Sequence, residues 1–402
     1  MRTVRKIIII ISKTVACIFA LAILAAAATS FSPVYHLRAS ATFTGPDIYD
    51  PYRNIDSVHC WKRANFHTHT RVNGLLNECE YYPDVVDEKL RRLGYEIVTF
   101  SNHNRLTKHP FDTSLQVNVY EHGYNLFKFH KLVFGCSEVD HRDHLLPIFA
   151  FQKQHQIDYL GKRADFIQIN HPLRTNFLDD RQFEKLSGYR LIELDSGRST
   201  ENKYWDTALS AGHYSFGAAN DDLHYPDRSS RIGVRCNFLC CPSAEYEDIR
   251  TCLLEGCFYA MRVPDYGNGD WDVKYDHNRH LPYVTEIGLK DSTIVIELSE
   301  KADSIKVTGQ NHTTLKSMSD SDRLEYTMRP EDSYARITAY MPEGEVIYTN
   351  PFARYDATLS DSPYNDHPQK INILLTILFN LAVALICLAD TYAIYLILRK
   401  RR

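Results

Sequence analysis

The distribution of apolar positions divides the chain sharply. At both ends hydrophobic residues run on without a period. Positions 7–31 read IIIIISKTVACIFALAILAAAATSF, interrupted only by Ser12 and Lys13, and 371–398 form a second such run. A bilayer core takes about 20 predominantly apolar residues in a helix. Both runs therefore read as transmembrane helices, the first as a helix or signal anchor. Residues 32–60 are polar, carry Pro33, Pro46 and Pro51, and read as a tether. From 61 to 265 short apolar runs alternate with amphipathic stretches. Candidate strands lie at 97–100, 131–134, 166–169, 191–194 and 214–218. Between two of the runs, 83–93 places Val85, Val86, Leu90 and Leu93 on one helical face before Gly94 stops it. That alternation predicts a parallel α/β arrangement, with a barrel as one form. Positions 266–281 are polar and glycine-bearing and read as a linker or lid. From 283 to 355 period two takes over: Ile294, Ile296 and Leu298 alternate with Thr293 and Glu297, and 336–340 and 345–349 repeat the pattern. This predicts a small all-β sandwich.

Charge orients the ends. Arg2, Arg5 and Lys6 precede the first run, and Arg399, Lys400, Arg401 and Arg402 follow the second. Basic flanks stay on the cytoplasmic side, so both ends are expected inside and the middle on the extracytoplasmic (periplasmic or extracellular) side. Small residues at 25–28 also fit cleavage of the first run as a signal peptide, and either way the middle is exported. Asp390, nine residues and about two and a half turns before Arg399, is expected to reach the interface or a partner helix. A net charge of −4 over 402 residues argues against charge-driven nucleic-acid binding. Of ten cysteines, Cys17 and Cys387 lie in the apolar runs. The others would face an oxidising space, where disulfides among Cys236, Cys240, Cys241, Cys252 and Cys257 are allowed. No facing CxxC pairs suggest a structural zinc site.

The candidate chemistry sits at strand ends. His67 and His69 in NFHTHT are two apart, so on a strand both rings point one way. His103 follows YEIVTF, Glu138 follows KLVFG, His144 lies in DHLLPIF, His171 follows DFIQI, and Asp222 and His224 follow YSFGAA. A lone histidine at a strand end is usually an ordinary polar residue. Several at the carboxyl ends of parallel strands share one face, where sites are built. Imidazoles and carboxylates gathered there suit two or three divalent ions, zinc, manganese or iron.

The order HxH, a strand ending in an NHN triplet, GxE, HLL, HP and DDxH resembles the PHP (polymerase and histidinol phosphatase) superfamily of metal-dependent hydrolases and phosphoesterases, in a membrane-anchored form with a C-terminal β-sandwich. The resemblance runs from about Asn65 to Val263. It implies a distorted (β/α)7 barrel over 61–265, then the sandwich over 283–355, flanked by the two transmembrane helices. It also implies that His67, His69 and Asp222 hold one metal with Glu138 bridging to a second. His144 and His171 would complete the second site, and His103 and His224 would serve a third site or the substrate. Two positions depart from the family pattern: the stretch after HxH offers only Asn73, Asn77 and Glu78, and Asn102 stands where the family usually has an aspartate.

Metal-assisted phosphate-ester hydrolysis needs an activated water and charge stabilisation on the phosphoryl oxygens. Glu138, His224 and His103 are the expected catalytic residues, either histidine protonating the leaving oxygen. Arg174 and Arg198 are candidate phosphate clamps, though ordinary surface arginines fit as well. The expected partner is a phosphorylated small molecule or envelope component, with the membrane engaged through two helices. Two rivals stay open: a hydrolase of amides or other esters on the same fold, and a non-catalytic metal-binding scaffold.

Overall fold

The computed structural model describes residues 2–55, 61–74, 77–196, 199–200, 203–364 and 368–399. At its ends stand two helices, Arg2–Ala28 and Ile373–Leu398, both long and apolar enough to cross a membrane. They pack along each other. A short antiparallel pairing, Tyr35 with Ile371 and His36 with Lys370, fastens them where they meet the body. Thr376 and Asn380 are four residues apart and so share one helical face. That face holds the incoming chain: the Ser32 amide donates to Asn380 Oδ1 (3.1 Å) and the Val34 amide to Thr376 Oγ1 (2.9 Å). Asp390 lines a gap between the helices beside Ser12, Ala16 and Ala20.

The segment expected to be a tether is stitched into the body instead. Asp47–Tyr49 pairs with Phe352–Tyr355. Tyr52 is buried; its hydroxyl donates to the Phe258 carbonyl (3.0 Å) and accepts from the Asn350 amide (2.7 Å). Phe43 and Tyr49 are buried as well. Three large rings in so short a stretch remove enough apolar surface from water to dock it.

The body is mixed α/β. One sheet takes Val119–His122, Lys131–Phe134, Phe166–Ile169, Leu191–Ser196 and Phe216–Asn220 in that spatial order. Another includes Trp61–Asn65, Ile97–Val98, Arg235–Cys240 and Phe258–Arg262. Two isolated parallel bridges, Thr68 with Leu223 and His103 with Glu121, join the sheets at one end. The Val119–His122 strand was not among the expected ones, and it changes the topology. Lys131–Phe134 runs antiparallel to both of its neighbours. The connection over 123–130 leaves no room for the crossover of about a dozen residues that a parallel partner needs. This strand therefore starts where its neighbours finish.

The helix Pro83–Arg92 covers the second sheet with Val86 and Leu90, and Leu93 follows them into the core; Gly94 (φ 85°) then turns the chain. Residues 266–281 are not a plain linker: Trp271–Arg279 is helical, and the Asp270 carboxylate caps it by accepting from the Asp272 and Val273 amides. The strands from Val284–Lys290 to Val346–Thr349 extend the second sheet, because Val346–Thr349 pairs with Phe258–Arg262. The 283–355 region thus shares hydrogen bonds with the preceding part and does not stand free as a sandwich. Among the described residues every cysteine is a free thiol, including the group at 236–257. Cys252, for one, gives its Sγ to the Cys257 carbonyl (2.8 Å).

One buried ion pair ties the two parts. Asp206, on the helix Lys203–Ser210, accepts from Arg336 Nε (2.7 Å) on Tyr334–Tyr340, and both side chains are at most 4% exposed. Removing one partner strands the other charge in the interior. Asp206→Ala should therefore cost about 3–5 kcal/mol, read from denaturant unfolding of the detergent-solubilised chain. An unchanged midpoint would refute the tie.

Candidate metal centre

The site lies at the junction of the two sheets, and a single carboxylate organises it. Glu121, on Val119–His122, is 1% exposed. Its Oε2 lies 3.1 Å from His67 Nε2, 3.2 Å from His69 Nε2 and 3.0 Å from His103 Nε2. Its Oε1 lies 3.2 Å from His130 Nδ1 and 3.3 Å from His171 Nε2. Asp222 joins the first group through Oδ1, 3.2 Å from His67 and 3.5 Å from His69. Glu78 approaches from a loop, 3.2 Å from His103 and 3.7 Å from His69. Three overlapping sets result: His67, His69, Glu121 and Asp222; His69, Glu78 and His103; and His103, Glu121 and His130. Within each set one ligand atom per residue lies within 4.8 Å of the others.

The local backbone explains how they converge. His67 and His69 directly follow Trp61–Asn65, and the intervening Thr68 takes part in the bridge to Leu223. His171 (φ 28°) and Asp222 (φ 48°) hold left-handed backbone unusual for side-chain-bearing residues. Such strain persists where the surroundings over-determine it, and it clusters at functional sites. The neighbouring Asp221 is structural: its carboxylate accepts from Asn65 Nδ2 and from the amides of Gly233, Val234 and Arg235.

The donor set fits divalent cations. Glu193 Oε1 accepts from His67 Nδ1 (2.9 Å), which points Nε2 toward Glu121 and Asp222. Carboxylates orient metal-bound histidines in this way. The Nε2 atoms of His67 and His69 are buried and make no hydrogen bond. His224 Nδ1 donates to the Asp222 carbonyl (2.8 Å), leaving its Nε2 lone pair on the site side. Packing so many carboxylates and imidazoles into a dry junction is costly unless something compensates them, and a cation does so.

Electrostatics points the same way. Burial alone would raise the Glu121 carboxyl, but His103, His67 and His130 prevail and hold it well below the usual range. The Asp222 carboxyl is likewise held low against burial by His67 and His69. Burial drives His103 down to about 3 against the pull of Glu121, and His224 down to about 4. Burial would also lower His69, yet Asp222 and Glu121 outweigh it and push this ring up to about 9.

Of the residues expected from sequence, His67, His69, His103, His171, Asp222 and His224 gather here. Glu138 does not. It is an exposed side chain paired with Arg163 (3.2 Å). It follows the antiparallel strand, so it lies at the sheet end away from the site, and the carboxylate among the histidines is Glu121 instead. His144 also stands apart, its Nδ1 2.5 Å from the Thr29 carbonyl and its Nε2 3.2 Å from His155. His130, at the start of the same strand, points into the centre where His144 was expected. Asn102 binds Thr70 and Thr107 and does not orient an imidazole. Arg174 reaches Asp222 Oδ2 through Nη1. Arg198 lies outside the described residues. Glu121, His130 and Glu193 were missed. The available signal was VYEH, a short apolar–acidic strand before KLVFG.

No family model and no curated protein matches the chain. Among solved structures it is similar to a two-domain protein of Bacteroides vulgatus containing a predicted PHP-like metal-dependent phosphoesterase. That match has 14% identity and a TM-score of 0.39, and covers 78% of this chain and 99% of the other. It is also similar to the lesion-specific endonuclease PfuEndoQ of Pyrococcus furiosus, at 15% identity and a TM-score of 0.34, covering 48% of this chain and 56% of that one.

Two outcomes are expected. Glu121→Gln should lower affinity for Mn²⁺ or Zn²⁺ at least roughly 100-fold, measured as bound metal after dialysis, whereas Glu138→Gln should leave it unchanged; the reverse ranking would restore Glu138 as the bridge. Because His69 holds its proton up to about 9, a cation must displace it at pH 7. Metal loading in weak buffer at pH 7 should therefore acidify the solution, and apparent affinity should climb as pH rises toward 9. Uptake without proton release would contradict this.

Proposed function

We propose that the chain is a metal-dependent phosphoesterase of the PHP type, with its distorted barrel closed at the metal end by the two isolated bridges. The observation that carries this reading is the split of Glu121: one oxygen faces His67, His69 and His103, the other His130 and His171. A carboxylate shared between two imidazole groups suits two adjacent cations, with Glu78 and His103 available for a third. Such ions, when bound, supply an activated water and Lewis acidity toward phosphoryl oxygens.

The chain's own residues supply the rest. Arg174, at the mouth and part exposed, offers the guanidinium nitrogens not engaged with Asp222 to a phosphate. Glu193 fixes both the His67 ring and, through Oε2, the His171 amide (2.8 Å). His224, neutral and with its lone pair inward, suits ligation better than proton donation. The basic flanks support a body on the extracytoplasmic side, acting on a phosphate ester of a small molecule or envelope component. Hydrolysis of amides or carboxyl esters remains the rival chemistry.

The test is turnover by the purified full-length chain. Bis-p-nitrophenyl phosphate should be hydrolysed with Mn²⁺ or Zn²⁺ present, p-nitrophenyl acetate should not, and chelation should abolish the activity until metal is restored. Preference for the acetate would favour the rival, and metal binding without turnover of either would indicate a scaffold.

A further inference from the structure

Next to Tyr124, whose hydroxyl donates to the His103 carbonyl, the surface is apolar in a place where water gives no reason for it. Leu126 is 63% exposed and Phe177 61%, and the Phe177 ring lies 4.5 Å from that of Phe127. Ile148 and Phe149 are exposed next to them. Such clusters mark interaction surfaces. These residues belong to three separate segments, held together by polar ties beneath. The Leu126 amide donates to the Leu145 carbonyl (3.0 Å), and the Asn176 amide to the Phe127 carbonyl (2.8 Å). Lys153, itself buried, donates Nζ to the carbonyls of Pro147 (2.7 Å) and Phe177 (2.8 Å). The apolar tips are thus held outward.

The patch is continuous with the two terminal helices. His144 and Leu145 bind the backbone and hydroxyl of Thr29, immediately after the first helix. Phe149 and Phe151 pack on Phe379, at ring separations of 6.2 and 4.9 Å. Phe379 lies six residues beyond Ile373, about 9 Å along the helix axis at 1.5 Å per residue. Rings at that level stand beside a segment long and apolar enough to lie in lipid. On the other side the patch adjoins the centre. Phe177 shares a loop with Arg174 and His171, and Tyr124, two residues before Leu126, donates its hydroxyl to the His103 carbonyl (3.3 Å).

We propose that Leu126, Phe127, Ile148, Phe149 and Phe177 form a rim seated in the surface of the bilayer that the terminal helices cross, so that the metal centre opens on lipid headgroups. The seating requires only that the helices span. The consequence for substrate, a phosphate ester carried on a membrane lipid, rests also on the phosphoesterase reading. Interfacial aromatic and aliphatic side chains at a helix-anchored site are what such seating requires.

The full-length chain, reconstituted in phosphatidylcholine vesicles, tests both parts. Phe177→Trp should add emission over the wild type that is quenched when the lipids carry bromine on their upper acyl carbons. Added emission indifferent to bromination would overturn the seating. Leu126→Asp with Phe177→Asp, both at exposed positions, should cut turnover of hexadecyl p-nitrophenyl phosphate in vesicles roughly tenfold and leave soluble bis-p-nitrophenyl phosphate unaffected. Equal effects on the two esters would overturn the substrate assignment. If the wild type turned over neither ester, the phosphoesterase reading would fail, while quenching would still decide the seating.

Discussion

The structure turns on one buried carboxylate meeting five imidazoles. Glu121 lies almost out of water with His67, His69, His103, His130 and His171 within about hydrogen-bonding reach of its two oxygens. A lone carboxylate in such a place would be neutral or expelled. Here the surrounding rings keep it ionised, and its low pKa is a measure of how strongly they do so. Both sheets contribute to the arrangement. The bridge between His103 and Glu121 is at once a join between sheets and a contact within the site. Closing the fold and assembling the donors are therefore the same event.

The antiparallel strand Lys131–Phe134 decides which residues take part. Had it run parallel to Phe166–Ile169, its far end would carry Glu138 to the centre and His130 away from it. Reversed, it presents His130 and lets Val119–His122 deliver Glu121. The donor types in the centre are those the sequence pattern calls for, imidazoles and carboxylates in a dry pocket. The identity of two of them depends on strand direction alone.

The ends of the chain are part of the same construction. Thr376 and Asn380 grip 32–34, the 47–49 strand pairs near the C-terminal end of the body, and Thr29 reaches His144 and Leu145. A histidine that reads as a ligand in the sequence is thereby used to join the body to the residue after the first helix. The apolar loops at 126–127, 148–149 and 177 lie between the terminal helices and the cluster of histidines and carboxylates.

Read alone, the sequence determined what local physics controls. The two unbroken apolar runs follow from composition, the Pro83–Arg92 helix from its 3.6-residue period, the period-two strands beyond 283 from alternation, and His67 with His69 from their spacing on one strand face. Of the six residues that gather as expected, His103, His171, Asp222 and His224 were legible because each follows a strand whose apolar run is visible, and His67 and His69 through their two-residue spacing. Tertiary structure decided the rest. Val119–His122 is only four residues long, so the apolar–acidic VYEH pattern was a faint signal, and neither Glu121 nor the direction of the strand after it was read from it. Glu193 lies inside a strand and declares its role only through the ring it orients. Whether 32–60 hangs free and 283–355 stands apart depends on edges found far along the chain, and pairing across such distances leaves no periodic trace in either partner.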